Sequence, residues 1–201
     1  MNNPYQAPWE TQISRVDIEV EWKVAMFAGI ISAASVYLGL LFAMVPGLVY
    51  SVSLLRIGRK LESTSVLKSF LLVISGPIGQ AIAGLVTMGV KNYGISRMYG
   101  GWTFGLAGGT IGTFITLTGY LIAFPSCRNA RFPLVVLLTG GLLATVIAGF
   151  QGFLGIRSLG ISRQTAFAIT YLTWQPILIC VTGWVHRLSM NSIMDGGGLN
   201  S

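Results

Sequence analysis

Three glutamines interrupt long apolar runs in this 201-residue chain: Gln80, Gln151 and Gln175. A side-chain amide both donates and accepts hydrogen bonds. In hydrocarbon it costs free energy unless those groups are paired. Each glutamine is therefore expected to point into a helical bundle or toward a water-filled cavity. Gln80 and Gln175 lie beside prolines, Pro77 and Pro176. A proline frees a backbone carbonyl one turn upstream, and a nearby amide can satisfy it. The other use of such an amide is a polar spot for a solute or a lipid headgroup. Gln151 is nearer the end of its run and close to water.

The reactive residue types are sparse. His186 has no carboxylate close in sequence and stands by Trp184 and Arg187. That grouping reads as an interfacial anchor, an aromatic belt residue followed by basic groups. Cys127, Cys180 or a serine could be a nucleophile with His186 as base, but no spacing fixes their geometry. Cys180 falls in an apolar run as a small core residue. Cys127 adjoins a loop, and its pairing state is open. There is no paired-aspartate, H-E-x-x-H or other metal-ligand pattern. No catalytic, cofactor or metal site is assigned, and the expectation is a protein that is not an enzyme.

Charge is equally informative. Charged residues make up 9% of the chain and hydrophobic ones 53%, against about 25% charged in ordinary soluble domains. A soluble core would have no polar shell to cover it. The net charge of +7 comes from basic residues set singly or in small groups between apolar runs. That pattern suits loops at lipid headgroups and argues against nucleic acid. No Asp, Glu, Lys or Arg lies in the middle of an apolar run, which argues against ion-coupled pumping and voltage sensing.

The elements that must position these residues are membrane helices, each needing about 20 apolar residues. The expected fold is all-α, a polytopic transmembrane bundle of five spans: about 24–45, 66–90, 102–124, 133–156 and 164–185. The first apolar run continues past Pro46 to Leu55. Its helix is expected either to kink or to end at Pro46, with a short re-entrant or interfacial segment after it. Residues 1–23 read as a polar, partly flexible tail without signal-peptide character. Four acids stand there, Glu10, Asp17, Glu19 and Glu21, and read as a solvated surface. Residues 24–187 form the membrane domain, and 188–201 a flexible polar tail.

Five spans put the termini on opposite sides. One side then holds Arg56, Arg59, Lys60, Lys68, Arg128, Arg131 and Arg187. The other holds Arg15, Lys23, Lys91, Arg97, Arg157 and Arg163. This near tie is tipped by the dense first connector toward an outside N-terminus and a cytoplasmic C-terminus.

Glycine, at 26 residues, is the outstanding residue. Gly101, Gly105 and Gly109 recur every fourth position in the third span, with Gly108 and Gly112 as a second pair. Gly141, Thr145 and Gly149 repeat the pattern in the fourth. Bare strips like these let helices approach closely and gain dispersion contact. The second, third and fourth spans are therefore expected to pack tightly with the third central. The alternative is that the strip lines a pathway or faces a partner. Threonines 103, 110, 113, 116 and 118 can bond one turn back or across to another helix.

Two segments resemble each other at an offset of 66 residues: MGVKNYGISR from Met88 and LGIRSLGISR from Leu154. They read either as a duplicated two-helix unit, 66–124 and 132–187, or as coincidence between two glycine breaks with headgroup arginines. The opening NPYQAP resembles the start of uncharacterised bacterial membrane proteins. That resemblance spans six residues, implies a bacterial inner (cytoplasmic) membrane and implies no activity.

Two functional classes remain. One is a small accessory or scaffold subunit of a membrane assembly, with membrane lipids and a protein partner or a second copy as neighbours. The other is a transporter component for a small neutral or lipid-like solute. An intramembrane enzyme is a distant third. A central cavity lined by Gln80, Gln175 and the threonines would favour transport. A solid core with an exposed glycine strip would favour the subunit.

Overall fold

The computed structural model describes residues 8–38, 44–92, 101–129, 131–153 and 160–196. They form six helices: α1 (Pro8–Ser35), α2 (Val45–Leu61), α3 (Val66–Asn92), α4 (Gly101–Ala123), α5 (Arg131–Phe153) and α6 (Arg163–Gly196). Short 3-10 turns follow α1 at Val36–Leu38 and α4 at Pro125–Arg128.

Small polar residues start three of these helices. Ser65 Oγ accepts from the Lys68 amide before α3, Asn129 Oδ1 from Phe132 at α5, and Ser162 Oγ from Thr165 at α6. Each pairs an amide that has no partner inside the helix.

Among the described residues, four helices are long and apolar enough to cross a membrane, over Val66–Thr87, Gly105–Ala123, Arg131–Ala148 and Gln164–Met190. This corrects the expectation of five spans. The span that fails is the first, 24–45. α1 ends at Ser35, so its apolar part from Val24 reaches only about 18 Å at 1.5 Å per residue, short of the ~30 Å hydrocarbon core. Ser35 Oγ bonds the Ser32 carbonyl at 2.7 Å, and the chain tightens into the 3-10 turn. Pro46 then opens α2 within its first turn, where a missing N–H costs nothing. The proline marks the start of a new helix. α2 in turn carries Arg56, Arg59 and Lys60.

Helix also extends into both segments read as polar tails, through 8–23 and 188–196.

The six helices form a closed up-and-down ring in which each packs on the next and α1 closes on α6; α2 also touches α6. Named contacts fix the directions. Ser32 meets Gln175 and Tyr37 meets Thr165, so α1 runs antiparallel to α6. Ser51 meets Val73 and Arg59 meets Ser69, so α2 runs antiparallel to α3. Glu21 pairs with Arg187, which sets the start of α1 and the end of α6 at the same end of the bundle. The expectation of ends on opposite sides fails with the fifth span.

Ser51 shows how a proline break is accommodated. Pro77 sits inside α3 and cannot donate to the Val73 carbonyl. The fully buried Ser51 reaches across from α2, its Oγ 2.9 Å from that oxygen.

The bulky core lies toward the Glu21–Arg187 end. It joins Leu54 and Ile57 of α2, Tyr120 of α4, Phe124, Phe132 of α5, and Leu178 and Ile179 of α6. Phe132 stacks on Tyr120 with ring centroids 5.7 Å apart.

Candidate functional site

Four chain segments converge at that end. Glu62 caps the C-terminus of α2. Ser126 and Cys127 lie in the turn that Pro125 opens after α4. His186 sits on α6, and Tyr120 on the last turn of α4. His186 is fully buried, edge-on to Tyr120 and Phe132. It is therefore a core residue and not the interfacial anchor that Trp184 and Arg187 suggested.

The polar atoms form one chain. Tyr120 Oη is 2.8 Å from His186 Nδ1, and Ser126 Oγ is 3.2 Å from Nε2. Ser126 Oγ donates to Glu62 Oε2 at 2.5 Å, and that carboxylate oxygen is 3.7 Å from Nε2. One neutral tautomer satisfies every bond. Ser126 has a single proton and gives it to Glu62, so Nε2–H must donate to Ser126 Oγ. Nδ1 then accepts from the tyrosine hydroxyl. In that arrangement the imidazole has no free lone pair aimed at the serine. A nucleophile–base pair needs the opposite polarity.

Cys127 lies beside Ser126, fully buried and free. Burial, with a smaller push from Glu62, moves its thiol up to about 12, against the lowering effect of its contact with Ser126. It is a neutral thiol at ordinary pH and a poor nucleophile. A second polar contact flanks the cluster. Arg187 Nη2 donates to Glu21 Oε1, with Glu21 itself buried. Glu21 thus leaves the solvated acidic surface that its neighbourhood suggested.

The sequence-predicted amides lie elsewhere, Gln80 against Gly47 and Gln175 at the neighbouring Pro46. Gln175 is buried; it accepts from Ser32 Oγ at 2.6 Å and donates to the Pro46 carbonyl at 2.9 Å. The oxygen it satisfies belongs to α2, not to the turn before its own proline. Gln80 donates to the Tyr171 hydroxyl. The side chain of Gln151 falls outside the described residues. Thr116 and Thr118 bond one turn back to Gly112 and Phe114, while Thr113 Oγ1 is buried without a partner.

The glycines of α4 serve two faces. Gly105 and Gly109 lie against Ala144 of α5; Gly108 faces Thr87 and Gly112 faces Ala83, both of α3. Gly141 of α5 faces Thr110 of α4. The surroundings of Gly101 and Gly149 fall outside the described residues, as does most of the 88–97 and 154–163 resemblance. Among the described residues no group of three His, Cys, Asp or Glu side chains could hold a metal ion.

Sequence reasoning passed over Glu62, Ser126 and Tyr120 because each is remote from His186 in the chain. The available signal was scarcity. Only six acids occur, and Glu62 is the one set in a basic connector between apolar runs.

No protein family, curated protein or solved structure matches this chain. The helices themselves define the class: an integral, multi-spanning α-helical membrane protein.

Proposed function

We propose that the protein is a small accessory or scaffold subunit of a membrane assembly and that it carries no catalytic site. The observation behind this reading is the inward pairing of its polar groups. Gln175, Gln80 and His186 each bond to a neighbouring helix or turn, and glycines close the α3–α4–α5 contacts. Such an interior favours a rigid body over a solute path. What remains for function is the outer surface, where Phe27, Leu85, Phe114 and Leu142 are more than half exposed. Apolar side chains there suit lipid and partner helices alike.

The same reading sets the basic end in the cytoplasm of a bacterial inner membrane. With both ends of the described chain at one end of the bundle, that end carries Arg15, Lys23, Arg56, Arg59, Lys60, Lys68, Arg128, Arg131 and Arg187. In the sequence the four remaining basic residues, Lys91, Arg97, Arg157 and Arg163, fall around the α3–α4 and α5–α6 junctions. Nine against four is the asymmetry expected of a cytoplasmic face, and it replaces the near tie of the five-span count.

The test is purification from the native membrane in mild detergent, with mass spectrometry of what accompanies the protein. A stoichiometric protein partner, or a defined homo-oligomer, is the expected result. A lone monomer that moves a solute when reconstituted in vesicles would overturn the reading.

A further inference from the structure

Two grooves open on the sides of the bundle, and they differ in one respect. The smaller, about 230 Å³, runs along α3 and is lined by apolar residues such as Ile74, Ile78 and Ile82. The larger, about 580 Å³, lies between α1 and α2 and has two cations among its lining residues, Lys23 and Arg56. Its volume lies in the range of about 300–1,000 Å³ typical of small-molecule sites.

The arrangement of the α1–α2 groove has a direction. Lys23 on α1 and Arg56 on α2 are both exposed. Ile57 lies against Gly183 and Glu21 pairs with Arg187, so both cations stand near the level of Arg187 on α6. Trp22, half exposed beside Lys23, is the residue type that settles at headgroup depth. From the cations the groove descends along Phe27, Leu48 and Val52, which are exposed, over a floor containing the buried Ala28. A cationic mouth at headgroup level above an apolar channel matches one kind of molecule in shape and charge.

We infer that the groove between α1 and α2 is a binding site for an anionic glycerophospholipid. Its phosphate and anionic headgroup sit between Lys23 and Arg56, and one acyl chain lies along Phe27, Leu48 and Val52. Basic pockets between membrane helices bind anionic headgroups through charge and hydrogen bonding, with each Lys or Arg contributing separately. An acyl chain in the channel covers the apolar surface of the α1–α2 groove.

The experiment is native mass spectrometry of the delipidated full-length protein titrated with phosphatidylglycerol or phosphatidylcholine. One saturable phosphatidylglycerol adduct is expected, preferred several-fold over phosphatidylcholine. The double variant Lys23→Gln/Arg56→Gln should weaken it on the order of tenfold. Val52→Trp, at an exposed position, should weaken it as well while leaving both cations in place. Lys60→Gln/Lys68→Gln removes equal charge outside the groove and should leave it unchanged. Equal binding of both lipids, or equal loss in the Lys60/Lys68 variant, would overturn the site in favour of general surface attraction. A dimer that Val52→Trp dissociates, with no lipid adduct, would overturn it in favour of a second copy in the groove. Thermal melting of each variant in detergent separates these results from misfolding.

Discussion

His186 is the residue whose surroundings differ most from its sequence neighbourhood. Trp184 is exposed and Arg187 partly so, while the imidazole between them has no exposed surface. A helix explains this: adjacent residues point about 100° apart, so an anchor face and a core face share one short stretch. His186→Ala would leave a cavity and strip Tyr120 and Ser126 of a partner. A loss of about 2–4 kcal/mol is expected, read as an earlier thermal transition in detergent. An unchanged transition would mean that the polar chain does not hold this end together. Cys127 supplies a pH test. Its thiol, raised to about 12 from a usual value near 9, stays protonated at pH 8, and only the thiolate attacks alkylating reagents. Folded protein should therefore resist maleimide at Cys127 at pH 8 and react after denaturation. Because the folded state disfavours the thiolate, stability should fall as pH rises between about 9 and 12. Fast labelling of Cys127 at pH 8 in native protein carrying Cys180→Ala would contradict the buried placement.

Helix contacts carry the account at the next scale. A Cβ at Gly105 would meet the backbone of Ala144 and Thr145, which cannot rotate away. Gly84 in α3 has open space around it. Gly105→Ala should cost about 1–3 kcal/mol through overpacking, while Gly84→Ala should be neutral or stabilising by up to about 1 kcal/mol. Circular dichroism melts of the two variants side by side check this; equal effects would remove Gly105 from the α4–α5 contact. The helices around 66–90, 102–123, 133–153 and 164–185 follow from hydropathy, because each apolar run has polar or Pro/Gly punctuation at both ends; the continuation of α6 through a polar stretch to Gly196 does not. α1 and α2 were hidden by the same criterion. Their apolar residues run together from Val24 to Leu55, and hydropathy does not distinguish Pro46 inside a helix from Pro46 at the start of one. The Ser51–Val73 bond was out of reach for a different reason. It joins two helices, and nothing in either local sequence specifies the pairing.

At the scale of the molecule, the ring arrangement decides the topology. Six helices packed in up-and-down order bring the start of α1 and the end of α6 together, tied by Glu21 and Arg187. A buried ion pair contributes little net stability but is costly to break from one side, so its use here is to fix that closure. The site at this end shows the limit of a one-dimensional reading. Residue types and charge scarcity were visible, but the meeting of Glu62, Ser126, Tyr120 and His186 depends on how four segments close at one end. The most direct test of the closed ring is the sidedness of its two ends. Cysteines placed at Asn3 and at Asn200, each in a Cys127→Ser/Cys180→Ala background, are exposed to a membrane-impermeant maleimide in intact cells and after permeabilisation. The ring predicts that the two positions label alike; with the basic end cytoplasmic, as proposed, both are protected in intact cells and both label once the membrane is opened. Labelling of Asn3→Cys in intact cells with Asn200→Cys protected would contradict it and restore an odd number of crossings.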